Sequence, residues 1–141
     1  MSATETEVIE MLDELSRAFR SAERLEKTIQ AYGLAKRPSD ADLRLLKAYS
    51  DLKRDASCLV VDLSSRNSHI SFIYDAILID GKSISEAARL AGFGRSTLYR
   101  WRDDLVAAFI EDESLLSVLQ SLLDRKRFID SSIRRMRTYS Y

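Results

Sequence analysis

The sequence predicts an all-α protein that has an N-terminal helical hairpin, a trihelical helix-turn-helix domain and a long C-terminal amphipathic helix. One proline and four glycines in 141 residues leave long stretches in which a helix can continue without interruption. In these stretches apolar residues recur at steps of three and four, which is the period of a helix with one buried face. We expect the three parts at residues 1–66, 67–110 and 111–141.

The first part is expected to contain two helices. Residues 5–32 carry an apolar stripe, and the glycine and proline of AYGLAKRPSD at 31–40 predict a turn after it. Ser39, followed three residues later by Asp42, has the form of a helix cap and predicts a second helix over residues 40–65. The apolar residues of this helix alternate at steps of four and three, which is typical of a coiled-coil seam or of a hairpin with the first helix, and we prefer the hairpin. They are Leu45, Tyr49, Leu52, Ala56, Leu59 and Leu63.

The middle part is expected to contain three helices. A break at residues 64–69, SSRNSH, precedes a helix that ends near Gly81. Ser83 and Glu86 have the spacing of a capping box, which predicts that the next helix begins at Ile84. One face of this helix has minimal bulk, so that a further helix can cross it closely, as a helix-turn-helix requires. That face consists of Ala87, Ala88 and Ala91.

A tight turn is predicted between the second and third helices of this part. Gly92 can adopt the left-handed conformation that ends a helix, and we expect Phe93 to tuck its ring into the core. Gly94 keeps the turn short, and Ser96 is the candidate cap of the third helix. The buried face of the third helix is expected to consist of Leu98, Trp101 and Leu105.

The opposite face of the third helix is predicted to lie in the major groove of DNA, because a recognition helix contacts base edges mainly through its N-terminal residues. Asp103, one turn further along, is placed to accept from a cytosine amino group or to form part of a solvated end. The alternative to a DNA-binding helix-turn-helix is an ordinary pair of helices joined by a glycine turn. The predicted DNA-contacting residues are Lys82, Arg95, Ser96, Thr97, Tyr99, Arg100, Arg102 and Asp103.

Five of these residues have distinct expected partners. Arg100 is placed for a bidentate contact to guanine O6 and N7. Thr97 and Tyr99 are placed to contact a thymine methyl group or a phosphate, whereas Arg95 and Arg102 suit phosphates.

The local charge favours DNA binding more than the total charge does. Residues 81–102 contain five basic residues and one acidic residue. The whole chain has 22 basic and 22 acidic residues and a formal net charge of zero. Because counterion release depends on the local basic surface, a neutral chain with a positive patch can bind DNA, and its neutrality argues against indiscriminate coating of nucleic acid.

Several other classes of protein are disfavoured. The single cysteine, Cys58, excludes an internal disulfide and suits a reducing compartment. The only histidine, His69, has no evident link to it, and we find neither a metal-ligand spacing nor a phosphate-binding glycine loop. No stretch approaches the ~18 apolar residues that cross a bilayer, and the N-terminus does not resemble a signal peptide. We therefore expect a cytoplasmic protein that is not an enzyme and needs no metal or cofactor.

The third part is expected to be one long helix, capped by Asp112 or Ser114 and ending near residue 137. Lys126 is the only polar position on its heptad seam, where it either selects an oligomeric state or reaches out of an intramolecular interface. Residues 125–141 contain six basic residues and Asp130 as their only acid, so this tail either binds flanking phosphates or meets the acidic first helix. The apolar seam positions are Leu115, Leu119, Leu122, Ile129, Ile133 and Met136.

These features resemble three known families. The order of parts is similar to that of the small phage-encoded late-gene transcription regulators of the RinA and ArpU type. Residues 70–105, in which a helix ending near Gly81 precedes SISEAARLAG, resemble region 4 of bacterial sigma factors. The run STLYRW at 96–101 resembles the recognition helix of serine recombinases. The resemblance covers roughly residues 68–110 and extends to the rest only in layout.

The resemblance implies a transcription regulator, and it places Arg95, Ser96, Thr97, Tyr99 and Arg100 against DNA. The chain lacks a sigma-type promoter-melting region and a recombinase catalytic domain, so we expect an activator or repressor encoded by a phage or mobile element. Its expected partners are double-stranded DNA, one or more further copies of the chain, and RNA polymerase, with no membrane. The alternatives are a DNA-packaging recognition subunit resembling phage small terminases and a helical adaptor that binds only protein.

Overall fold

A computed structural model describes residues 3–32 and 38–139 of the chain, with the side chain of residue 139 left aside. All regular structure in these two ranges is helical, which confirms the predicted all-α class and its long C-terminal helix. The helices are α1 (Glu5–Tyr32), α2 (Asp40–Ser57), α3 (Leu59–Arg66), α4 (Ser68–Tyr74) with a π-helical continuation (Asp75–Ile79), α5 (Ile84–Ala91), α6 (Arg95–Glu111) and α7 (Glu113–Tyr139).

The N-terminal hairpin of α1 and α2 is present, and α7 packs against both of its helices. α2 packs against α1, as predicted, and also against α7. Ser39 caps α2 by accepting a hydrogen bond from the Asp42 N–H at 3.1 Å. The predicted turn at 31–40 includes residues 33–37, which lie outside the described residues.

The prediction of one continuous helix over residues 40–65 is wrong, because the regular helix is interrupted at Cys58, although this residue keeps helical backbone angles, with φ −62° and ψ −25°. The Cys58 N–H bonds to the Asp55 carbonyl three residues back at 3.2 Å, which tightens the last turn of α2. The Ala56 carbonyl accepts a hydrogen bond from the Tyr74 hydroxyl at 2.6 Å. Leu59 and Leu63 nevertheless remain buried on α3, so the apolar pattern continues past the interruption.

The helix before the helix-turn-helix ends in a π-helical segment. Asn67 caps α4 through a 2.7 Å hydrogen bond from the His69 N–H. After Tyr74 the helix widens, and the Asp80 N–H bonds to the Asp75 carbonyl five residues back at 2.9 Å. The Ile77 carbonyl in this segment accepts a 3.0 Å hydrogen bond from the Ser16 hydroxyl of α1. This hydrogen bond joins the π-helical segment to α1.

One hydrophobic core joins the three parts of the chain. It includes Leu15 and Phe19 of α1, Leu98 of α6 and Leu119 of α7. Of the two predicted caps of α7, Asp112 is the one used, since its Oδ1 accepts from the N–H groups of Ser114 and Leu115 at 2.9 and 3.2 Å. Within the described ranges, we find no helix long and apolar enough to cross a membrane.

Candidate nucleic-acid interface

The helix α5 begins where its capping pattern predicts. The Ser83 hydroxyl oxygen accepts from the Glu86 N–H at 3.1 Å, and the same hydroxyl donates to Glu86 Oε1 at 3.1 Å. The small face of α5 lies toward the core, with Ala87 and Ala88 buried and Ala91 half-buried. This packing is compatible with a closely crossing partner helix, and α6 packs against α5.

The turn between α5 and α6 has the predicted left-handed glycine. Gly92 has φ 76° and ψ 26°, and the N–H groups of Gly92 and Phe93 both bond to the Ala88 carbonyl, at 3.0 and 3.1 Å. The second of these bonds spans five residues, as in the Schellman motif that ends many helices. The turn therefore redirects the chain within three residues.

The prediction that Ser96 caps the next helix is wrong. Gly94 is extended, with φ −75° and ψ 160°, and occupies the cap position without a side-chain hydrogen bond. Its carbonyl accepts from the Thr97 and Leu98 N–H groups at 3.2 and 3.4 Å, so α6 already begins at Arg95. Ser96 consequently lies in the first turn of α6, with an exposed side chain.

Two of the three residues predicted to be buried on the inner face of α6 are buried. Leu98 and Leu105 have no exposed surface. Trp101 is only half-buried, and its ring centroid lies 4.4 Å from that of His69 and 5.2 Å from that of Phe93. The prediction that Phe93 enters the core is wrong, because its ring stacks edge-on against Trp101 and stays 54% exposed.

The outer face of the first turns of α6 is formed by five predicted residues that are all exposed. At 3.6 residues per turn they occupy an arc of about 140° on the side opposite Leu98 and Leu105. They are Arg95, Ser96, Tyr99, Arg100 and Asp103. We call this surface the α6 outer face.

The remaining three predicted residues have different surroundings. Thr97 and Arg102 flank the α6 outer face and are half-buried. The Arg102 guanidinium carbon lies 5.1 Å from the centre of the Tyr99 ring, and Arg102 Nε is buried without a hydrogen-bond partner. Lys82 lies before α5, with Nζ 3.3 Å from Asp80 Oδ2. It is separated from Gly92 by the eight residues of α5, or ~12 Å of helix.

Most of the basic residues of α7 form ion pairs within the chain. This supports the interpretation that the basic tail meets the acidic first helix. Arg127 bonds to both carboxylate oxygens of Glu14 on α1 at 3.2 Å, and Lys126 Nζ lies 3.3 Å from the same carboxylate and 2.7 Å from Asp130. The Arg127 hydrogen bond, with help from Lys126, lowers the pKa of the Glu14 carboxyl against the opposing effect of burial. Lys126 therefore belongs to an intramolecular interface. Further pairs join α7 to α2, namely Arg125 with Asp55 at 2.8 Å and Arg137 with Asp42 at 2.9 Å.

Sequence reasoning missed the aromatic cluster behind the α6 outer face, formed by His69, Phe72, Phe93 and Trp101. His69 belongs to α4 and Trp101 to α6, and no spacing along the chain indicates that their rings meet. The only available signal was the position of Trp101 on the inner side of a helical wheel.

Comparison with protein-family models, with curated proteins and with solved structures found no match. The resemblance to phage regulators stays a prediction.

Proposed function

We propose that the chain is a sequence-specific DNA-binding transcription regulator that places the first turns of α6 in the major groove. The α6 outer face is the observation that carries this proposal. It presents two arginines and three shorter polar or aromatic side chains on one side of a helix that begins directly after a tight turn. The buried Leu98 and Leu105 hold the helix from behind, so that this side is open to a duplex.

The residues of the α6 outer face match the donors and acceptors of base edges. Arg100 would make the bidentate contact to guanine, and Asp103 would accept from a cytosine amino group. Arg95 at the start of the helix would contact a phosphate, and Ser96 would do the same or reach a base. Thr97 and Tyr99 would contact a thymine methyl or a phosphate, and Lys82 would bind the backbone near the start of α5.

A regulator of this kind usually binds two half-sites about one DNA turn apart, or ~34 Å, which requires a second copy of the chain. The apolar seam of α7 is buried within the chain, since Leu115, Leu119 and Leu122 all belong to its core. We propose that a dimer contact uses the outer side of α7 instead, where Phe128 is 73% exposed. The same burial makes a ring built on that seam, as in a small-terminase-like packaging subunit, the less favoured alternative.

Light scattering tests the dimer contact. Phe128→Asp is expected to convert a dimer into a monomer, because it puts a charge at the centre of the contact. Val61→Asp is the matched control, since Val61 on α3 is also 73% exposed. A dimer that survives Phe128→Asp would place the contact elsewhere.

The resemblance to phage late-gene regulators extends the proposal to promoter DNA, with RNA polymerase as a further partner. Such a regulator would work in the cytoplasm, where its DNA lies.

Selection of bound fragments from a random duplex library tests the function. We expect an enriched motif with two related half-sites, whose affinity falls steeply as salt is raised. Absence of binding at ~50 mM salt, where the phosphate contribution is strong, would favour the protein-binding adaptor instead.

A further inference from the structure

An open groove lies between α1 and α7, with α2 as its floor. Its volume is about 980 Å³, at the upper end of the range of small-molecule sites, roughly 300–1,000 Å³. The α1 wall includes Arg17 and Ala18, the α7 wall includes Ile133 and Arg134, and the floor includes Leu45 and Tyr49.

The groove has more positive charge than its own acids neutralise. Lys126 is paired with both Glu14 and Asp130, and Arg137 is paired with Asp42 outside the groove. Arg17 and Arg134 are exposed, and neither has an ion pair among the described residues. One guanidinium without an ion pair therefore stands on each wall of the groove.

The rest of the lining offers a limited apolar surface. Leu45 is half-buried and supplies aliphatic surface, whereas Ala18 and Ile133 are each only 6% exposed and lie at the base of the walls. Tyr49 is only 5% exposed and its hydroxyl donates to Asp130, so it closes the base of the groove and offers little surface to a ligand. A site of this kind favours a ligand that joins anionic groups to a compact apolar part, because the charges fix its orientation and the apolar surface adds affinity.

We propose that this groove binds a small organic dianion held between Arg17 and Arg134. The same chemistry could be supplied by the phosphates of DNA, and the experiment separates these two sources. The part of the experiment that uses DNA rests on the proposed function.

The experiment uses phenyl phosphate with the methyl-labelled full chain, observed by NMR in the absence of DNA. We expect the Ala18 and Ile133 methyl signals to shift with a Kd at or below ~10 mM. Inorganic phosphate, which lacks the apolar part, should bind more weakly. Arg17→Gln and Arg134→Gln should each weaken phenyl phosphate binding about tenfold, as for a lost charged hydrogen bond.

Exposed arginines on the same two helices serve as controls. Arg24→Gln on α1 and Arg135→Gln on α7 should leave the affinity for phenyl phosphate unchanged. Absence of methyl shifts up to ~10 mM would overturn the proposal, and so would an equal loss in the control variants. The salt dependence of DNA binding separates the two sources of anion. If Arg17→Gln loses phenyl phosphate binding but keeps the salt dependence of DNA binding, the groove binds the small dianion. If Arg17→Gln also reduces that salt dependence, the groove binds DNA phosphates. The NMR result does not depend on whether the protein binds DNA, so it can fail separately from the proposed function.

Discussion

Arg100 and Arg102 are two residues apart on α6, and the helical period gives them different surroundings. Arg100 is exposed on the α6 outer face. Arg102 is half-buried, with its guanidinium over the Tyr99 ring. Arg100 can thus extend toward a base edge, whereas Arg102 restrains Tyr99 and can reach a phosphate only from the flank of the helix. The two arginines should differ in how much sequence preference they carry.

Replacing Arg100 by alanine should relax the base preference of the selected duplex. Loss of a bidentate guanine contact costs about 1–3 kcal/mol at one base pair. Fluorescence anisotropy with single-position duplex variants measures this loss, and Arg135→Ala on α7 is the exposed-arginine control. An equal loss on every sequence would make Arg100 a phosphate contact.

Gly92 and Gly94 offer a matched pair in one turn, because a Cβ atom at either position would meet nothing within 4 Å. Gly92→Ser should destabilise the fold by roughly 1–2 kcal/mol, since φ is 76° there and an L side chain disfavours that region. Gly94→Ser should leave stability unchanged or raise it by a few tenths of a kcal/mol, because serine is a good cap and φ is −75°. Denaturant unfolding measures both. A similar change in stability for the two substitutions would contradict the requirement for glycine at Gly92.

α7 is held by apolar contacts along most of its length, with ion pairs added in its second half. Leu115, Leu119 and Leu122 are buried, and beyond them Lys126 and Arg127 meet Glu14 of α1. Lys126 keeps 18% side-chain exposure and has two carboxylate partners. A largely buried charge needs such partners, because removal of one of them leaves the other uncompensated. Glu14 is therefore one residue through which pH should act on the packing of α7; the other is the cap Asp112, whose pKa is lowered mainly by its hydrogen bond from the Leu115 N–H.

Glu14→Gln should lower stability at neutral pH and reduce the loss of stability in acid. The folded-state pKa of Glu14 lies below its ordinary value of 4.5. The stabilisation from its carboxylate is therefore complete above that value and disappears as pH falls through the lowered pKa. Urea unfolding of both proteins at pH values from neutral to acid measures the difference.

Glu26→Gln, at an exposed α1 position, is the control and should leave the pH profile unchanged. Asp75, whose pKa is raised by burial and by Asp80, has the opposite pH dependence. It is present in both proteins and so cancels in the comparison. Parallel pH profiles for the wild type and Glu14→Gln would contradict the role of Glu14.

Across the whole molecule, the helices that carry the α6 outer face share one core with the N-terminal and C-terminal helices. α1 contacts the π-helical segment through Ser16 and Gly81 through Arg20. The start of α7 is joined to α3 by the ion pair between Asp112 and Arg66. The orientation of the α6 outer face therefore depends on packing along the entire chain.

Features set by neighbouring residues were predictable from the sequence. The caps at Ser39, Ser83 and Asp112 act within three residues, and the apolar periods of α1 and α7 need no partner to be recognised. The interruption at Cys58 was not predicted, and the Ala56 carbonyl beside it accepts a hydrogen bond from a tyrosine 18 residues further along the chain.

In the candidate interface and the groove, too, features set by neighbouring residues were predictable, and features set by distant contacts were not. The exposed side of α6 follows from its helical period. The position of Phe93 depends on Trp101 across the turn, and the groove joins α1 to α7 from opposite ends of the sequence.

NMR shift mapping with the selected duplex tests most directly whether the α6 outer face meets DNA. We predict that the amide signals of residues 95–103 shift most, while those around Phe128 on α7 do not respond at duplex concentrations that saturate one site. Shifts that leave residues 95–103 unchanged would contradict this contact, wherever else on the protein they appear.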